Sequence, residues 1–540
     1  MKFSHISIGA GITGIETILA LTKEVDKKRK KISPKFLVGI IDKNPENISG
    51  GVAYGFKISK YGFFNNPIRL SPKPFRKWLS DKKIKEKIIH YLKIHGGLTG
   101  NHWIKKNKDK LFSKNIKEFN ELYIPRATLN IWMEERLILL IKKIKENKSN
   151  FDIKFFKGEV ISFKDNKDKL KKIFFKNNFC KELKYKLSND PFKKLSFKEG
   201  KNYKSIISLN QSIGLGLPPP KQLATKKAQE NNNYIWDFYA QGSTSLLIDK
   251  ILKFPRGRKI IVYFIGYKAG LLESLPELEK IIKKNNIKIQ LICSSRDLIS
   301  IQKATLTNYK KSYKLSFLKK NKLAKITGAR ILYESILKEF QNSLKNGYNK
   351  YDAWTEILKN NILDKCIAKF KKKEKEIYHR VYHSKIRNIT RFTYPETIKA
   401  RELLSKNNIL ITNKEIVKKV DIHTKKLIVK TIDHKNTNKK YICDIVVNVS
   451  GPLNVENIKN EIPLIKSLKS NGAKVSSGGF LVNNNFAIRG IKNTYTPSIL
   501  ATGFNPQRKT IFTAILKNSF LVGNNIAKNL LKCKCSKNEQ

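Results

Sequence analysis

The N-terminal segment joins two hydrophobic patterns, a short apolar run followed by apolar residues at helical spacing. Residues 3–16 read FSHISIGAGITGIE, a strand-like run that ends in glycines and continues as a helix. Gly9, Gly11 and Gly14 form the pattern G-x-G-x-x-G. A second apolar run, KFLVGIID, ends in Asp42. The hydrophobic pattern therefore predicts a strand, a helix and a second strand in this order.

Each glycine of this unit has a predicted role in binding a dinucleotide. Gly9 permits the tight turn, Gly11 lets the backbone approach a pyrophosphate, and Gly14 lets the helix pack against its strand. The N–H groups at the helix start face the phosphates, and the Asp42 carboxylate is placed to accept hydrogen bonds from a ribose. The alternative is a purely structural turn. The order of strand, glycines, helix, strand and acid favours a nucleotide site.

The same strand–turn–helix–strand pattern recurs from residue 258. RKIIVYFIG is the strand, YKAGLLESLPELEKIIKKNN the helix and IKIQLICSSR the next strand, so two nucleotides are expected. Between the two units, a helix follows Pro125, and FDIKFFKGEVISFK with LKKIFFKNNF predicts a small antiparallel meander. After the second unit, residues 300–385 read as lysine-rich helices. The chain closes with the amphipathic helix IFTAILKNSFLVGNNIAKNLL.

The charge of the chain changes this picture little. Its 540 residues include 110 Lys and Arg against 43 Asp and Glu, a net charge of +67. Such a charge attracts polyanions at low salt. The basic excess is mostly lysine and is spread over nearly every segment, whereas a dedicated nucleic-acid surface concentrates arginine between stacking aromatics. We therefore expect no specific nucleic-acid partner.

Targeting and metal signals are weak. The apolar N-terminal run has no basic flank or cleavage site, and no run approaches the roughly 20 apolar residues of a membrane span. Scattered cysteines indicate a reducing compartment, so a cytoplasmic location is the default.

The close pair Cys533 and Cys535 is interpreted as part of a frayed C-terminal tail, not as metal ligands. His379 and His383 lack a third ligand nearby, so no metal site is predicted.

Several segments, in chain order, resemble one known family. They are GAGITG, GVAYG, FFNNPIRLSP with Trp78, IPRATLNIW, SSRDL, VNVSGP and ATGF. The chain resembles the bacterial FAD/NAD(P)-binding proteins, a group that includes flavin-dependent N-monooxygenases that convert aspartate to nitrosuccinate. The resemblance spans nearly the whole chain and is stronger for an FAD-binding fold than for any one substrate.

The resemblance implies roles for individual residues around FAD. Gly9, Gly11 and Gly14 would hold its pyrophosphate and Asp42 its adenosine ribose. Tyr54, Asn65 and Arg126 would line the flavin side, and Gly503 would allow close approach to the flavin ring. Structural readings stay open for Arg126, which could cap or salt-bridge a helix, and for Gly503, which could be an ordinary strand-exit glycine.

The second unit departs from the family pattern. Relatives carry G-x-G at this point, but here the chain reads Gly266-Tyr267-Lys268, and a side chain at the middle position obstructs a pyrophosphate. Lys268 could supply a charge instead, or the site could be decayed. Ser294, Ser295 and Arg296 end the following strand and fit a 2′-phosphate pocket, which favours NADPH over NADH. The alternative is that Arg296 has no specific role, because basic residues are common throughout this chain.

The predicted fold class is therefore α/β, a Rossmann-like FAD-binding domain with a second, NAD(P)-type βα domain and a helical insertion. The expected boundaries are 1–215 for the N-terminal part of the FAD-binding domain, 216–300 for the NAD(P)-type domain, 301–390 for the insertion and 391–540 for the return to both domains.

The resemblance implies an FAD-dependent oxidoreductase, with NADPH as reductant, that hydroxylates an amine of an amino acid or similar small molecule. The cofactor carries the difficult chemistry, so no catalytic acid or base is demanded and none is assigned. Two alternatives stay open: a flavin reductase or dehydrogenase that does not activate oxygen, and a non-catalytic FAD-binding protein. His379, His383, Arg387 and Arg391 could present a cationic face to a carboxylate substrate, although we favour a solvated basic helix.

Overall fold

The fold is described from a computed structural model of the chain. It describes residues 1–28, 35–55, 60–165, 170–217, 219–220, 223–267, 269–296, 301–307, 311–451, 453, 455–458, 462–476, 479–501 and 511–535.

The strands are short, and within the described parts of residues 151–213 and 410–448 they follow one another with no α-helix between them. In chain order they are β1 (Lys2–Ile8), β2 (Phe36–Asp42), β3 (Phe151–Lys157), β4 (Val160–Asp165), β5 (Lys171–Phe175), β6 (Cys180–Leu187), β7 (Leu195–Tyr203), β8 (Ser205–Ile213), β9 (Tyr234–Ile235), β10 (Ile260–Ile265), β11 (Ile289–Ser294), β12 (Gln302–Lys303), β13 (Phe392–Thr393), β14 (Leu410–Asn413), β15 (Glu415–His423), β16 (Lys426–Asp433), β17 (Asn438–Cys443), β18 (Ile445–Asn448), β19 (Val475–Ser476), β20 (Gly479–Phe480) and β21 (Thr494–Tyr495).

The α-helices include long amphipathic helices at both ends of the first domain. They are α1 (Ile12–Lys28), α2 (Gly51–Tyr54), α3 (Lys73–Leu79), α4 (Lys82–His95), α5 (Gly97–Phe112), α6 (Ile116–Asn120), α7 (Ala127–Lys145), α8 (Lys226–Glu230), α9 (Ser243–Leu252), α10 (Ala269–Lys284), α11 (Ala329–Lys345), α12 (Lys350–Lys359), α13 (Ile362–Lys369), α14 (Lys372–Ile377), α15 (His383–Ile389), α16 (Pro395–Lys406), α17 (Pro463–Ser470) and α18 (Ile511–Cys535).

The first sheet has a parallel centre and antiparallel edges. Strands β8, β1, β2 and β3 run parallel in this spatial order, and β21 pairs with the second half of β8. The hairpin β4–β5 extends the β8 side, and β6 with β7 extends the β3 side. Ile6, Val38 and Ile40 are buried in the sheet. Apolar runs of this kind suit strands that are covered on both faces.

The prediction of one antiparallel meander for residues 151–175 is wrong in its first strand. β3 joins the parallel centre beside β2, with Phe36 opposite Phe151 and Ile40 opposite Phe155. Only the hairpin β4–β5 is antiparallel within that segment. β3 reads FDIKFFK, and its alternating burial does not distinguish a parallel from an antiparallel partner.

The second sheet is parallel throughout its described strands. Its spatial order is β14-β11-β10-β18-β9, with α10 and α16 packed on one face through Leu271, Leu275, Ile398 and Leu404. The antiparallel sheet β15-β16-β17 covers the opposite face. The parallel strands at the centre of the first sheet and throughout the second confirm the predicted α/β class with two dinucleotide-type units.

A helical subdomain lies between the second unit and α16. The described elements between residues 311 and 389 are helical: a 3-10 turn at Lys320–Lys325, helices α11 to α15, and a π-helical segment at Tyr378–Tyr382. The two-residue strands β12 and β13 pair at its base. Its core is continuous with that of the first domain, where Phe63 stacks on Tyr394 with ring centroids 5.1 Å apart. The numerical domain boundaries stay predictions.

Candidate functional site

The first glycine turn is held by backbone contacts at the carboxyl end of the first sheet. Gly9 has a φ of +91° and donates its N–H to Ile41 O at 2.8 Å, while Gly214 N donates to Ile8 O at 2.8 Å. A Cβ on Gly9 would lie 2.9 Å from Gly214 O. The turn thus requires a glycine for conformation and for space. The approach of Gly214 was not foreseen from the sequence.

Gly14 and Gly11 each lie close to another part of the chain: Gly14 lies close to the end of β1, and Gly11 lies close to Gly51. A Cβ on Gly14 would collide with Gly9 O and would lie 2.5 Å from Ser7 Oγ, so α1 packs against β1 as predicted. A Cβ on Gly11 would lie 3.1 Å from the Cα of Gly51. The segment that begins α2 therefore passes directly over Gly11. The predicted role of Gly11 toward a pyrophosphate stays a prediction.

Asp42 is fixed beside this turn at the end of β2. Its Oδ2 accepts from Ala10 N at 2.8 Å and its Oδ1 from Asn44 N at 2.9 Å. A carboxylate oxygen can accept more than one hydrogen bond, so contact with ribose hydroxyls is compatible with this geometry. A cavity of about 840 Å³ is lined by residues that include Lys43, Lys157 and Phe197, but not by Asp42 or the glycine turn. The adenosine site at the turn and Asp42 stays a prediction.

The three residues predicted beside the flavin lie on one side of the first domain. The Tyr54 ring packs against Phe64 with centroids 6.1 Å apart, and burial raises the pKa of Tyr54. The Asn65 Oδ1 accepts from Thr393 Oγ1 at 3.0 Å, which ties this segment to the base of the helical subdomain. Arg126 donates from Nε to Phe63 O at 3.1 Å. Their roles toward a flavin stay predictions.

Arg126 also makes an ion pair with the second unit. Its Nη2 lies 2.6 Å from Glu273 Oε1 on α10, with the two side chains 13% and 10% exposed. Tyr239 Oη donates to Glu273 Oε2 at 3.3 Å. Burial raises the pKa of Glu273, and the charge of Arg126 opposes that rise. The sequence offered a salt bridge to a helix as an alternative for Arg126, and the structure contains that salt bridge.

The second turn also depends on its first glycine. Gly266 has a φ of +103°, its N–H donates to Ser294 O at 2.8 Å, and a Cβ there would lie 2.6 Å from the Cα of Ser450. A Cβ on Gly270, in the first turn of α10, would lie 2.8 Å from Cγ1 of Val449. Lys268 lies outside the described residues.

Ser294 does not fit its predicted role. It is 2% exposed, and its hydroxyl is hydrogen-bonded to the hydroxyl of Tyr263 and donates to Glu415 Oε2 at 3.3 Å. Burial disfavours ionisation of Glu415, but hydrogen bonds from Tyr441, Lys439 and Thr431 hold its pKa below the ordinary value. A carboxylate beside Ser294 disfavours a phosphate there. Arg296 is exposed at the end of β11, and Gly503 lies outside the described residues.

The segment that carries His379, His383, Arg387 and Arg391 is helical as far as Ile389 but is not one regular α-helix. The π-helical turn at Tyr378–Tyr382 changes the spacing of its side chains. Burial lowers the pKa of all four residues, that of His383 to about 4 and that of Arg391 to about 10. Arg387 is exposed and the other three side chains are half-buried, so the solvated basic helix and the cationic face toward a substrate both stay predictions.

Residues around Arg126 and Arg391 were missed by the sequence analysis. Glu273 carried one detectable signal, an acid between the leucines of the segment GLLESL. Tyr239, Tyr267 and Arg401 carried none, because each comes from a different segment. Within the described ranges, we find no cluster of His, Cys, Asp and Glu that could bind a metal ion. No described helix combines the length and apolar character that crossing a bilayer requires.

Comparison with known proteins finds solved structures of similar fold. No protein-family model matches the chain, and no curated protein matches it. Among solved structures, the chain is similar to the FAD-bound cadaverine monooxygenase of the desferrioxamine biosynthetic pathway from Erwinia amylovora. The identity is 11%, the TM-score 0.50, and the coverage 97% of this chain and 94% of that chain.

Two further solved structures are similar over their whole length. The ornithine N-hydroxylase of Kutzneria sp. 744, with reduced FAD, NADP+ and L-ornithine, shares 10% identity at a TM-score of 0.55. The reduced ornithine hydroxylase of Pseudomonas aeruginosa shares 10% identity at a TM-score of 0.54. In both cases 98% of this chain and 100% of that chain are covered. The common feature is the fold of a flavoprotein that binds two dinucleotides.

Proposed function

We propose that this chain is an FAD-dependent oxidoreductase that uses NADPH to hydroxylate an amine of a small molecule. One observation carries the proposal: contacts link the two glycine turns to one interface. Gly51 covers Gly11, Tyr54 on the same short helix lies within electrostatic range of Arg126 and Glu273, and Glu273 follows Gly266 at the start of α10. Two dinucleotides bound at these turns would extend toward each other.

The residues of the first turn fit FAD. Their close packing leaves no space for a Cβ on Gly9 or Gly14, and Asp42 is oriented by two backbone N–H groups. When bound, FAD supplies hydride acceptance and the activation of oxygen. Arg126 and Glu273 fix the relative position of α7 and α10, and the stacked rings of Phe63 and Tyr394 pack the first domain against the base of the helical subdomain.

Tyr54 is suited to hydrogen bonding beside the flavin. Burial raises the pKa of its phenol, so the hydroxyl stays protonated and can donate at neutral pH. The Arg126 guanidinium opposes that rise, and the Glu273 carboxylate adds to it. Neither Arg126 nor Tyr54 needs to transfer a proton for amine hydroxylation, and both would act by orienting bound groups.

The substrate proposed is a small amine. The sequence resemblance points to aspartate, and the structural neighbours act on cadaverine and ornithine. The panel to test is therefore aspartate, ornithine and cadaverine, each offered to the purified, FAD-loaded protein with NADPH in air.

The test follows flavin colour and oxygen together. We expect NADPH to bleach the flavin without oxygen, and oxygen to be consumed in air when an accepted amine is present. Bleaching without amine-dependent oxygen uptake for any member of the panel would instead support a reductase. A bound flavin that neither NADPH nor NADH bleaches would support a non-catalytic FAD-binding protein.

A further inference from the structure

The second turn is surrounded by arginines that the sequence pattern does not predict. Tyr267 directly follows Gly266, and its buried hydroxyl is hydrogen-bonded to the side chain of Arg401 on α16. The guanidinium of Arg391 lies within electrostatic range of Tyr267, Tyr239 and Glu273. These contacts bring two guanidinium groups to the turn that begins α10.

The backbone around Arg391 is firmly held. Gln302 N donates to Arg391 O at 3.1 Å, and the next two residues form β13, which pairs with β12. Thr393 then donates to Asn65 of the first domain at 3.0 Å. Arg401 is placed equally well, because α16 packs on α10 through Ile398 and Leu404. Both side chains are therefore presented from rigid positions.

The charges around Glu273 do not balance. Two guanidinium groups, those of Arg126 and Arg391, lie within electrostatic range of this buried carboxylate, which is already paired with Arg126. Arg387 lies within electrostatic range of Arg391, and Arg401 lies beside Tyr267.

The remaining guanidinium groups have little acidic compensation. Among the described residues, no acidic side chain forms an ion pair with Arg387 or Arg391, and Arg401 approaches only the exposed Glu402 at 4.0 Å. Burial lowers the pKa of Arg387 and of Arg391, and the charge of Arg387 lowers that of Arg391 further. Arg391 and Arg401 are half-buried cations without a close acidic partner among the described residues, and such cations favour a bound anion.

We propose that Arg391 and Arg401 bind the pyrophosphate of the nicotinamide dinucleotide and replace the backbone approach that a middle glycine gives in related turns. This inference rests on the proposed function. A guanidinium binds two phosphate oxygens at once, and a pyrophosphate carries two negative charges. The position beside Tyr267 favours pyrophosphate over a substrate carboxylate, because the turn after β10 is where a dinucleotide crosses the sheet edge.

The test compares variants of the full-length, FAD-loaded protein. Arg391→Gln and Arg401→Gln remove one guanidinium each, and Arg380→Gln removes an exposed arginine from the same subdomain as a matched control. The dissociation constant for NADPH is measured from NADPH fluorescence, without any amine. We expect each of the first two substitutions to raise it about 10-fold to 100-fold, the usual value of a charge-assisted hydrogen bond. The control is expected to leave it unchanged.

Two further measurements keep the outcome clear. Inorganic pyrophosphate should compete with NADPH on the wild type and compete less well on Arg391→Gln. Arg391→Lys, which keeps the charge but loses the planar fork, should fall between wild type and Arg391→Gln. Bound FAD and the unfolding midpoint show whether each variant is folded.

An unchanged dissociation constant for NADPH in folded Arg391→Gln and Arg401→Gln would overturn the inference. An unchanged constant with a raised KM for the amine would assign the arginines to the substrate instead. Failure of the proposed function has a different signature. In that case the variants still weaken NADPH binding, but NADPH does not bleach the wild-type flavin.

Discussion

Gly14 has no space for a side chain, since any Cβ would collide with Gly9 O across the turn that joins β1 to α1. Gly14→Ala should therefore push α1 away from its strand. We expect a loss of about 1–3 kcal/mol of unfolding free energy, as for overpacking elsewhere, together with weaker FAD binding. Denaturant unfolding and FAD titration measure the two effects. Gly216→Ala is the control, because nothing lies within 4 Å of a Cβ there. Equal behaviour of the two variants would contradict the role of Gly14.

His5 is a second residue whose surroundings predict a measurement. It is fully buried in β1 with Nε2 3.2 Å from Ser212 Oγ, and burial lowers its pKa to about 3. The unfolded chain therefore binds a proton on His5 that the folded chain excludes, so the stability that this neutral imidazole maintains is lost as pH falls below about 6.5.

The expected slope is roughly 1.4 kcal/mol per pH unit between pH 6.5 and pH 3. Urea unfolding of wild type and His5→Gln at about pH 7.5 and about pH 4.5 measures it, since the variant lacks this titration. The exposed His423→Gln is the control and should follow the wild type. Parallel profiles for wild type and His5→Gln would show that His5 is not a buried neutral imidazole.

Single residues also show what the sequence could predict. Gly9, Gly14 and Asp42 were recognisable because one unit of about 40 residues sets their geometry. Ser294 was misread because Glu415, which accepts its hydrogen bond, lies 121 residues further along the chain. Local spacing carries no signal for such a contact.

At the scale of elements, the two terminal helices of the first domain depend on one close approach. A Cβ on Gly523 of α18 would lie 2.6 Å from Thr17 O and 2.7 Å from the Cβ of Ala20 on α1. Gly523→Leu should separate these helices and cost about 1–3 kcal/mol of unfolding free energy. The exposed Lys528→Ala on the same helix should cost little. Thermal unfolding of both variants measures the difference. Equal unfolding midpoints for Gly523→Leu and Lys528→Ala would contradict the close packing of α18 on α1.

Strands and helices were predicted well where the pattern of apolar residues within one segment was sufficient to define them. The strands β1, β2, β10 and β11 and the helix α18 follow from apolar patterns in the sequence. Partner choice was not predictable for β3, because its burial pattern suits a parallel and an antiparallel neighbour alike. The π-helical turn at Tyr378–Tyr382 was also missed, since extrapolated helical spacing assumes an unbroken α-helix.

At the scale of the whole molecule, the ion pair between Arg126 and Glu273 joins the two dinucleotide-type units. Removing one partner leaves a buried charge uncompensated, so Arg126→Met should lower the unfolding free energy by about 3–5 kcal/mol. The double variant Arg126→Met with Glu273→Met should recover much of this loss. Denaturant unfolding measures each step.

The matched control is the exposed pair of Lys148 and Glu146, where Lys148→Met should have no measurable effect. If Arg126→Met and Lys148→Met behaved alike, the interface between the units would not depend on this ion pair. The pair itself joins α10 to the residue before α7, more than 140 positions apart. The sequence offered Arg126 a salt bridge to a helix, but no pattern indicated Glu273 as its partner.

The flavin content of the folded protein shows whether the first glycine turn binds FAD. We expect a yellow protein that retains one FAD per chain through gel filtration, or takes it up to that stoichiometry when FAD is titrated into the apoprotein. A folded, colourless protein that binds no added FAD would contradict it.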